Sequence, residues 1–484
     1  MGVALFTSRV VLQALGVTDY GINNIVGGIV AMFAFMSNTL MNITQRFINV
    51  EMEKGGTDTL QKIFSTSLTL HIAIGIIIII LGETAGLWFV ENKLVIPADR
   101  MPAAMWVYQL ALFGFVLSTI NAPFMALIVA HEDMSIYGYI GIFEAVISLI
   151  IAYLVVIVNA DKLITLAILG FFAGCVVTLF YNIFCRRKYR EAKFSFYYDN
   201  SLLKALGGYG GYVFIDSILG ILRLQGINII LNMFFGPAVN AARGLAYAVY
   251  TALTAFGANF RQASIPQLTK SYARNDREYM WGLLDHSTRI HYFLVLVFAV
   301  PVVLKTEFIL ELWLGNVPEY TAAFIRLLVI TVLMEVIIAP LFTVVQANGN
   351  MKAFYGIHYI YTILIVAFSY AVCKMGYPPY YVFIVPVPLF LLSIPARFIV
   401  LRKLIGFSVR LFTKKTLLPI LGGSAASFIP FYLICRLLPE SFIYSLAIMA
   451  ASILWTGAMI LYVGLRKGER AMIFGFLRRK MLRG

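Results

Sequence analysis

The chain has 484 residues, of which 61% are hydrophobic and only 13% charged, and its mean hydropathy is +0.86. Soluble domains are about 45–50% apolar and about 25% charged, so a water-soluble fold is excluded: no core could hide this much apolar surface. Lys and Arg number 38 against 23 Asp and Glu, a formal net charge of +15, but the basic residues sit in short loops between apolar runs, which points to one face of a membrane and not to nucleic acid.

The apolar residues form about fourteen runs near the ~20 residues a helix needs to cross the ~30 Å hydrocarbon layer. The short alternating segments of a membrane β-barrel are absent. The expected fold is therefore an all-α polytopic membrane protein. In chain order the runs predict spans over 1–17, 21–48, 63–86, 105–130, 136–158 and 163–185. A second set covers 207–234, 238–264, 286–312, 322–346, 353–373 and 381–401, and a last pair 416–437 and 442–464. The first is short: Met1 opens directly in apolar sequence and Gly16 marks the end, so the true start is expected upstream, inside the first helix. A signal sequence would show a basic leader and a small-residue cleavage site, and neither is present.

The expected organisation is a first lobe over 1–185, a cytosolic linker over 186–206, a second lobe over 207–401, a helix pair within 402–464 and a basic tail over 465–484. Residues 194–206 of the linker mix aromatics with Asp199 and Lys204 and read as an interfacial amphipathic segment; the tail reads as a surface helix on anionic lipid. Basic loops at 186–193, 266–289 and 402–415 and the basic tail alternate with loops of few or balanced charges at 91–104, 159–162, 314–321 and 438–441. The positive-inside rule makes the basic side cytosolic, with both termini there and an even number of spans. Trp88, Trp106 and Trp313 flank the opposite edge, where an amphipathic indole is well placed.

The two six-span sets share a layout. In each, the first span ends at a glycine, Gly16 or Gly236, and a tight turn leads into a span rich in small and amide residues. Each fourth span carries an Ala-Pro, Ala122-Pro123 or Ala339-Pro340, with a polar turn soon after. Two six-span units of equal orientation form a parallel repeat.

Ionisable groups inside spans cost several kcal/mol unless they meet water or a partner, so each is a candidate functional residue. Arg9, Asp216, Arg223 and Glu335 are the most central. Asp216 and Arg223 stand seven residues apart, two turns of one helical face. Arg46, Arg243, Arg261 and Arg326 lie nearer span ends, where snorkelling to the interface is the alternative. His71, Glu144, His291 and His358 add titratable positions, with packing as the alternative for His71 and Glu144. Several arginines facing one cavity would attract an anion, and guanidinium suits bidentate contact with phosphate. The second span holds Asn23, Asn24, Asn38, Asn42 and Gln45, and the eighth holds Asn240, Asn259 and Gln262. Such amides either line a wet cavity or hydrogen-bond between helices. The four cysteines, Cys175, Cys185, Cys373 and Cys435, have no metal-ligand spacing and read as small packing residues.

No P-loop, HExxH motif, paired-cysteine motif or nucleophile elbow occurs, and the longest connections are too short for a folded catalytic domain. Neither an enzyme nor a cofactor nor a metal is expected.

The stretch TSRVVLQALGVTDYGINNIVGGIVAMFAFMSNTL at 7–40, with ELWLGNVPEYTAAFIRLLVI at 311–330, resembles the bacterial Wzx-type polysaccharide and O-antigen flippases of the multidrug/oligosaccharidyl-lipid/polysaccharide exporter superfamily, over essentially the whole chain. The resemblance implies two six-helix lobes around a central cavity plus a C-terminal helix pair. It further implies movement of polyprenyl-diphosphate-linked oligosaccharide across the bacterial inner membrane by alternating access, for lipopolysaccharide or another surface glycan, with polysaccharide polymerase components as further partners. In that setting Arg9, Arg46, Arg223 and Arg261, chosen on depth and helix face, are the candidate diphosphate contacts. Asn38, Asn42, Gln45 and Asn259 are the candidate polar lining, and Asp216, Glu335 and Glu144 the candidate coupling groups. The alternatives are a cation-coupled multidrug exporter of the same superfamily, which predicts an acidic, aromatic cavity, and a membrane-embedded glycosyl- or acyltransferase.

Overall fold

The computed structural model describes residues 2–52, 57–195, 211–348 and 351–464, and every regular element among them is helical. The helices are α1 Gly2–Ala31, α2 Ala34–Met52, α3 Thr57–Leu81, α4 Leu87–Lys93, α5 Met101–Ala130, α6 Met134–Ile157, α7 Lys162–Lys188, α8 Gly211–Phe235 and α9 Pro237–Ala273. They continue as α10 Arg277–Leu304, α11 Thr306–Leu314, α12 Thr321–Asn348, α13 Lys352–Lys374, α14 Tyr381–Ile384, α15 Pro386–Ile405, α16 Val409–Phe412, α17 Leu418–Leu437 and α18 Phe442–Met459. A helix satisfies its own backbone polar groups, which is what hydrocarbon demands of a single spanning segment. Eleven helical stretches among the described residues are long and apolar enough to cross a membrane. The other predicted spans are helical too: the short stretch 2–15, the amide-bearing stretches 17–31 and α2, which a turn at Met32 and Phe33 separates, and α9. The chain is a multi-pass membrane protein. The expected interfacial segment lies mostly, and the basic tail entirely, outside the described residues.

The paired glycines behave alike. Gly16 interrupts α1 at φ 76°, and Gly236, between α8 and α9, also has φ 76°. A Cβ disfavours that left-handed region, so glycine ends each first span at little cost. Pro123 and Pro340 fall inside α5 and α12, which both continue past them.

Two compact units form, Met1–Gly244 with Ile365–Pro379, and Leu245–Leu364 with Tyr380–Gly484. In the first, α5 packs against α2, α3 and α7. Ile48, Phe64, Phe124, Leu127 and Cys185 form one buried cluster, with Phe64 and Phe124 edge to face at 5.2 Å. Tyr108 donates to the Gly82 carbonyl at 2.7 Å, holding the wide turn Gly82–Gly86 that carries α3 into α4.

An amide cluster ties α8 to α9 within this unit. Asn240 Nδ2 donates to the Asn228 backbone and side-chain oxygens, both at 2.8 Å, and Asn232 Nδ2 donates to Asn240 Oδ1 at 3.0 Å. Asn232 Oδ1 accepts from the Val95 N–H at 2.8 Å. Asn228, Asn232 and Asn240 are fully buried, so for Asn240 the helix-to-helix alternative holds and the wet lining does not.

Outside the spans, Arg100 bridges Asp19 at 2.6 Å and Asp161 at 2.7 Å. Asp161 also caps α7 by accepting from the N–H groups of Leu163 and Ile164. At the other end of the same helix Asp133 binds Lys188 at 2.7 Å and accepts from the Tyr189 hydroxyl, and both contacts hold its carboxyl below the ordinary range.

In the second unit α10 packs on α12, α17 and α18, and Thr416 donates to Asp285 at 2.8 Å between buried side chains. Arg326 pairs with Glu307 and donates to the Val303 carbonyl, which anchors the guanidinium to protein. In both units large apolar side chains stand exposed, among them Ile80, Ile142, Phe172, Leu392 and Leu454. In water such a surface would aggregate; in a bilayer it meets acyl chains as apolar as itself.

Candidate functional site

Two polar cavities stand out, one inside each unit. The second unit's cavity, of about 190 Å³, is lined by Thr254 and Arg261 of α9, His291 of α10, and Val332, Glu335, Val336 and Ala339 of α12. The spacing of the α12 residues makes a single stripe, and Thr254 and Arg261 lie two turns apart on one face of α9. Tyr250, one turn before Thr254, donates to Glu335 Oε2 at 2.9 Å and so fixes the carboxylate. Gly257 sets the approach of α9 to α10: an added Cβ would lie 2.5 Å from His291 Nε2 and 2.9 Å from Val295 Cγ2. A guanidinium, an imidazole and an anchored carboxylate thus share one small chamber. At about 30 Å³ per water it holds a few waters or one small polar group, which suits exchange of a proton or contact with part of a larger anion.

The first unit's cavity, of about 520 Å³, lies between α5, α6 and α7 and takes Glu144, Asn121, Thr178, Tyr137 and Tyr181 into its wall. Asn121 Nδ2 donates to Thr178 Oγ1 at 2.9 Å, while the buried Asn121 Oδ1 has no hydrogen-bond partner.

Of the sequence-predicted residues, the structure brings Arg261 and Glu335 together and adds His291 to them. Glu144 lines the other cavity, with an exposed side chain. Arg9 and Arg223 are half-buried on α1 and α8, and Gln45 is half-buried on α2. The side chains of Arg46, Asn38, Asn42, Asn259 and Asp216 lie outside the described ones. His71 is buried, with Nδ1 2.8 Å from the Ser67 carbonyl, beside a Thr44 to Ser67 hydroxyl contact of 2.6 Å, while its Nε2 has no hydrogen-bond partner among the described residues.

Arg397 escaped the sequence reading although it lies inside an apolar run. It is 1% exposed, and its guanidinium carbon stands 5.7, 5.5 and 5.9 Å from the ring centres of Phe342, Phe354 and Tyr361. Nε donates to Ser393 Oγ at 3.2 Å. The aromatic faces give the buried guanidinium cation–π contacts in place of water. The usable signal was an arginine four residues from a serine in the apolar body of a helix, one turn before its basic end at Arg402 and Lys403.

Two solved structures share the helical arrangement. One is the inward-facing conformation of a multidrug resistance MATE family transporter of the MOP superfamily, at TM-score 0.66 and 13% identity, over 83% of this chain and 94% of that one. The other is the lipid II flippase MurJ in an inward closed conformation, at TM-score 0.68 and 11% identity, over 95% of this chain and 98% of that one. The fold is that of the MATE and MurJ transporters. No protein-family model matches the sequence, and neither does any protein of curated function. At such low identities the likeness is one of architecture.

Proposed function

We propose that the chain is a flippase that carries polyprenyl-diphosphate-linked oligosaccharide from the cytoplasmic to the outer leaflet of a bacterial inner membrane, by alternating access and without ATP. The observation that carries this reading is the Arg261, His291 and Glu335 chamber within a fold shared with the lipid II flippase. Arg261 supplies a cation at membrane depth for a diphosphate, and Glu335, held by Tyr250, supplies a carboxylate able to exchange its charge during the cycle. Arg9, Arg46 and Arg223 are the further diphosphate contacts, Asn38, Asn42, Gln45 and Asn259 the lining for sugar hydroxyls, and Asp216 and Glu144 the remaining coupling carboxylates. The reading places the chain in the Wzx-type family, the two six-helix lobes around a central cavity and both termini in the cytosol. The product would feed O-antigen or another surface polysaccharide through a polymerase.

The test is the leaflet distribution of lipid-linked oligosaccharide in cells lacking the gene, complemented with wild type, Arg261→Ala or Arg223→Ala. Accumulation on the cytosolic leaflet, relieved by wild type and not by the variants, is the expected result. Normal distribution in the deleted strain, with new drug sensitivity, would replace this reading with multidrug export; product formation by the detergent-purified protein would replace it with embedded catalysis.

A further inference from the structure

Glu144 enters the reading above only as one of three coupling carboxylates, and its surroundings support a more specific role. Tyr137, Gly141, Glu144, Ser148 and Ile151 form one stripe of α6 along the first unit's cavity. At 1.5 Å per residue, Tyr137 to Ile151 covers about 21 Å of the helix, starting near its Met134 end. Among the described residues, no Lys, Arg or His contributes to the lining. Its polar side chains are the Glu144 carboxylate, the Ser118, Tyr137, Ser148, Thr178 and Tyr181 hydroxyls and the Asn121 amide, so the one charge in the wall is negative. Such a wall selects a cation, and a primary ammonium, with three donors, can use three of these acceptors at once.

The glycines explain the room. An added Cβ at Gly141, Gly170 or Gly174 would meet nothing within 4 Å. The flanks explain the route: Ile142, Phe143, Val146 and Ile150 of α6 and Phe172, Val176, Leu179 and Phe180 of α7 are exposed apolar side chains, which on a membrane protein face acyl chains. A trough with a carboxylate in its wall, between apolar rims, matches an amphiphile with a cationic head inside and chains outside, entering from the interface near Met134 along the tyrosine-lined end.

We propose that this cavity holds the ammonium headgroup of an aminophospholipid of the surrounding bilayer, with Glu144 as its counter-ion and Tyr137 and Ser148 as further acceptors. The site is separate from the Arg261 chamber and does not depend on which substrate is transported.

The full-length protein, reconstituted in vesicles of equal phosphatidylethanolamine, phosphatidylcholine and phosphatidylglycerol, is extracted and its retained lipids are measured by native mass spectrometry. Wild type is expected to retain phosphatidylethanolamine at least about fivefold over the other two, because choline has no N–H to donate and glycerol carries no cation. Glu144→Gln should erase the preference. Gly174→Leu, which fills the open space while keeping the carboxylate, should lower retention as much. Equal retention of the three headgroups by wild type overturns the proposal, and so does displacement of the bound lipid by free ethanolamine in solution, which would make the site one for soluble amines. Should Glu144→Gln fail to fold, the wild-type headgroup series and Gly174→Leu decide alone.

Discussion

In the second unit Arg261, His291 and Glu335 share about 190 Å³, and the glycine in the wall, Gly257, is pressed against His291. In the first unit a carboxylate stands in about 520 Å³, and a Cβ added at Gly141, Gly170 or Gly174 in its wall would meet nothing within 4 Å. The same residue type thus permits a close helix approach in one cavity and leaves open space in the other. The lesson is that a glycine in a membrane helix has no fixed meaning until the neighbouring helix is in place, and that the charge beside it follows suit: crowded and opposed in one unit, single and accessible in the other.

The largest effect that would sharpen this contrast is on transport. Arg261→Ala is expected to lower export of surface polysaccharide by about thirtyfold, on the scale of the ~2 kcal/mol that breaking a buried charge contact costs, while Arg261→Lys should recover part of it because the cation remains without the planar fork. Full export by Arg261→Ala, measured in a deletion strain with protein levels matched, would break the assignment of the chamber. Next comes packing. Gly257→Ala must displace His291 and is expected to cost about 1–3 kcal/mol, whereas Gly174→Ala has room and should change stability by about 0.5 kcal/mol or less. Thermal unfolding of the two variants in the same detergent reads the difference directly, and equal shifts would contradict the opposite roles of the two glycines. Tyr250→Phe comes third: losing the hydrogen bond to Glu335 should cost about 1 kcal/mol, read in the same unfolding assay.

The smallest effect concerns the ion pairs outside the spans. Hydrogen bonding to Arg100, and then to the Ile164 and Leu163 N–H groups, holds the Asp161 carboxyl below its ordinary value of 3.8. A depressed carboxylate favours the folded state above the unfolded pKa, and that contribution disappears as pH falls through the lower folded value. Unfolding temperature should therefore decline as pH drops below about 4, and Asp161→Asn should flatten the decline; an unchanged slope would show that the bridge carries no stability.

Much of the fold was legible because hydrocarbon imposes a length and a secondary structure on every crossing. Predicted spans at 136–158, 353–373 and 442–464 lie within a residue or two of the helical stretches, and Gly16 and Gly236 were readable as ends because only glycine is at ease at positive φ. The candidate site was legible in part. Glu335 was singled out as a central charge and Arg261 as a cation nearer a span end, but nothing in linear order joins residues on α9, α10 and α12. His291 was only a titratable position until α10 placed it opposite Gly257. Asn240 shows the limit from the other side: as an amide in a polar span it could face water or protein, and its bonds to Asn228 and Asn232 decided for protein.

The sequence by itself determined that this is an all-helical membrane protein with charges within its spans, because apolar run length and charge placement are properties of the chain alone. Only the tertiary structure decided which of those charges meet. Arg397 is held by three rings and a serine, Arg326 is tied to Glu307, Arg261 shares a chamber with His291 and Glu335, and Glu144 is left to an open trough. The energy of a buried charge depends on distances to groups far away in the chain, and those distances exist only once the helices have packed.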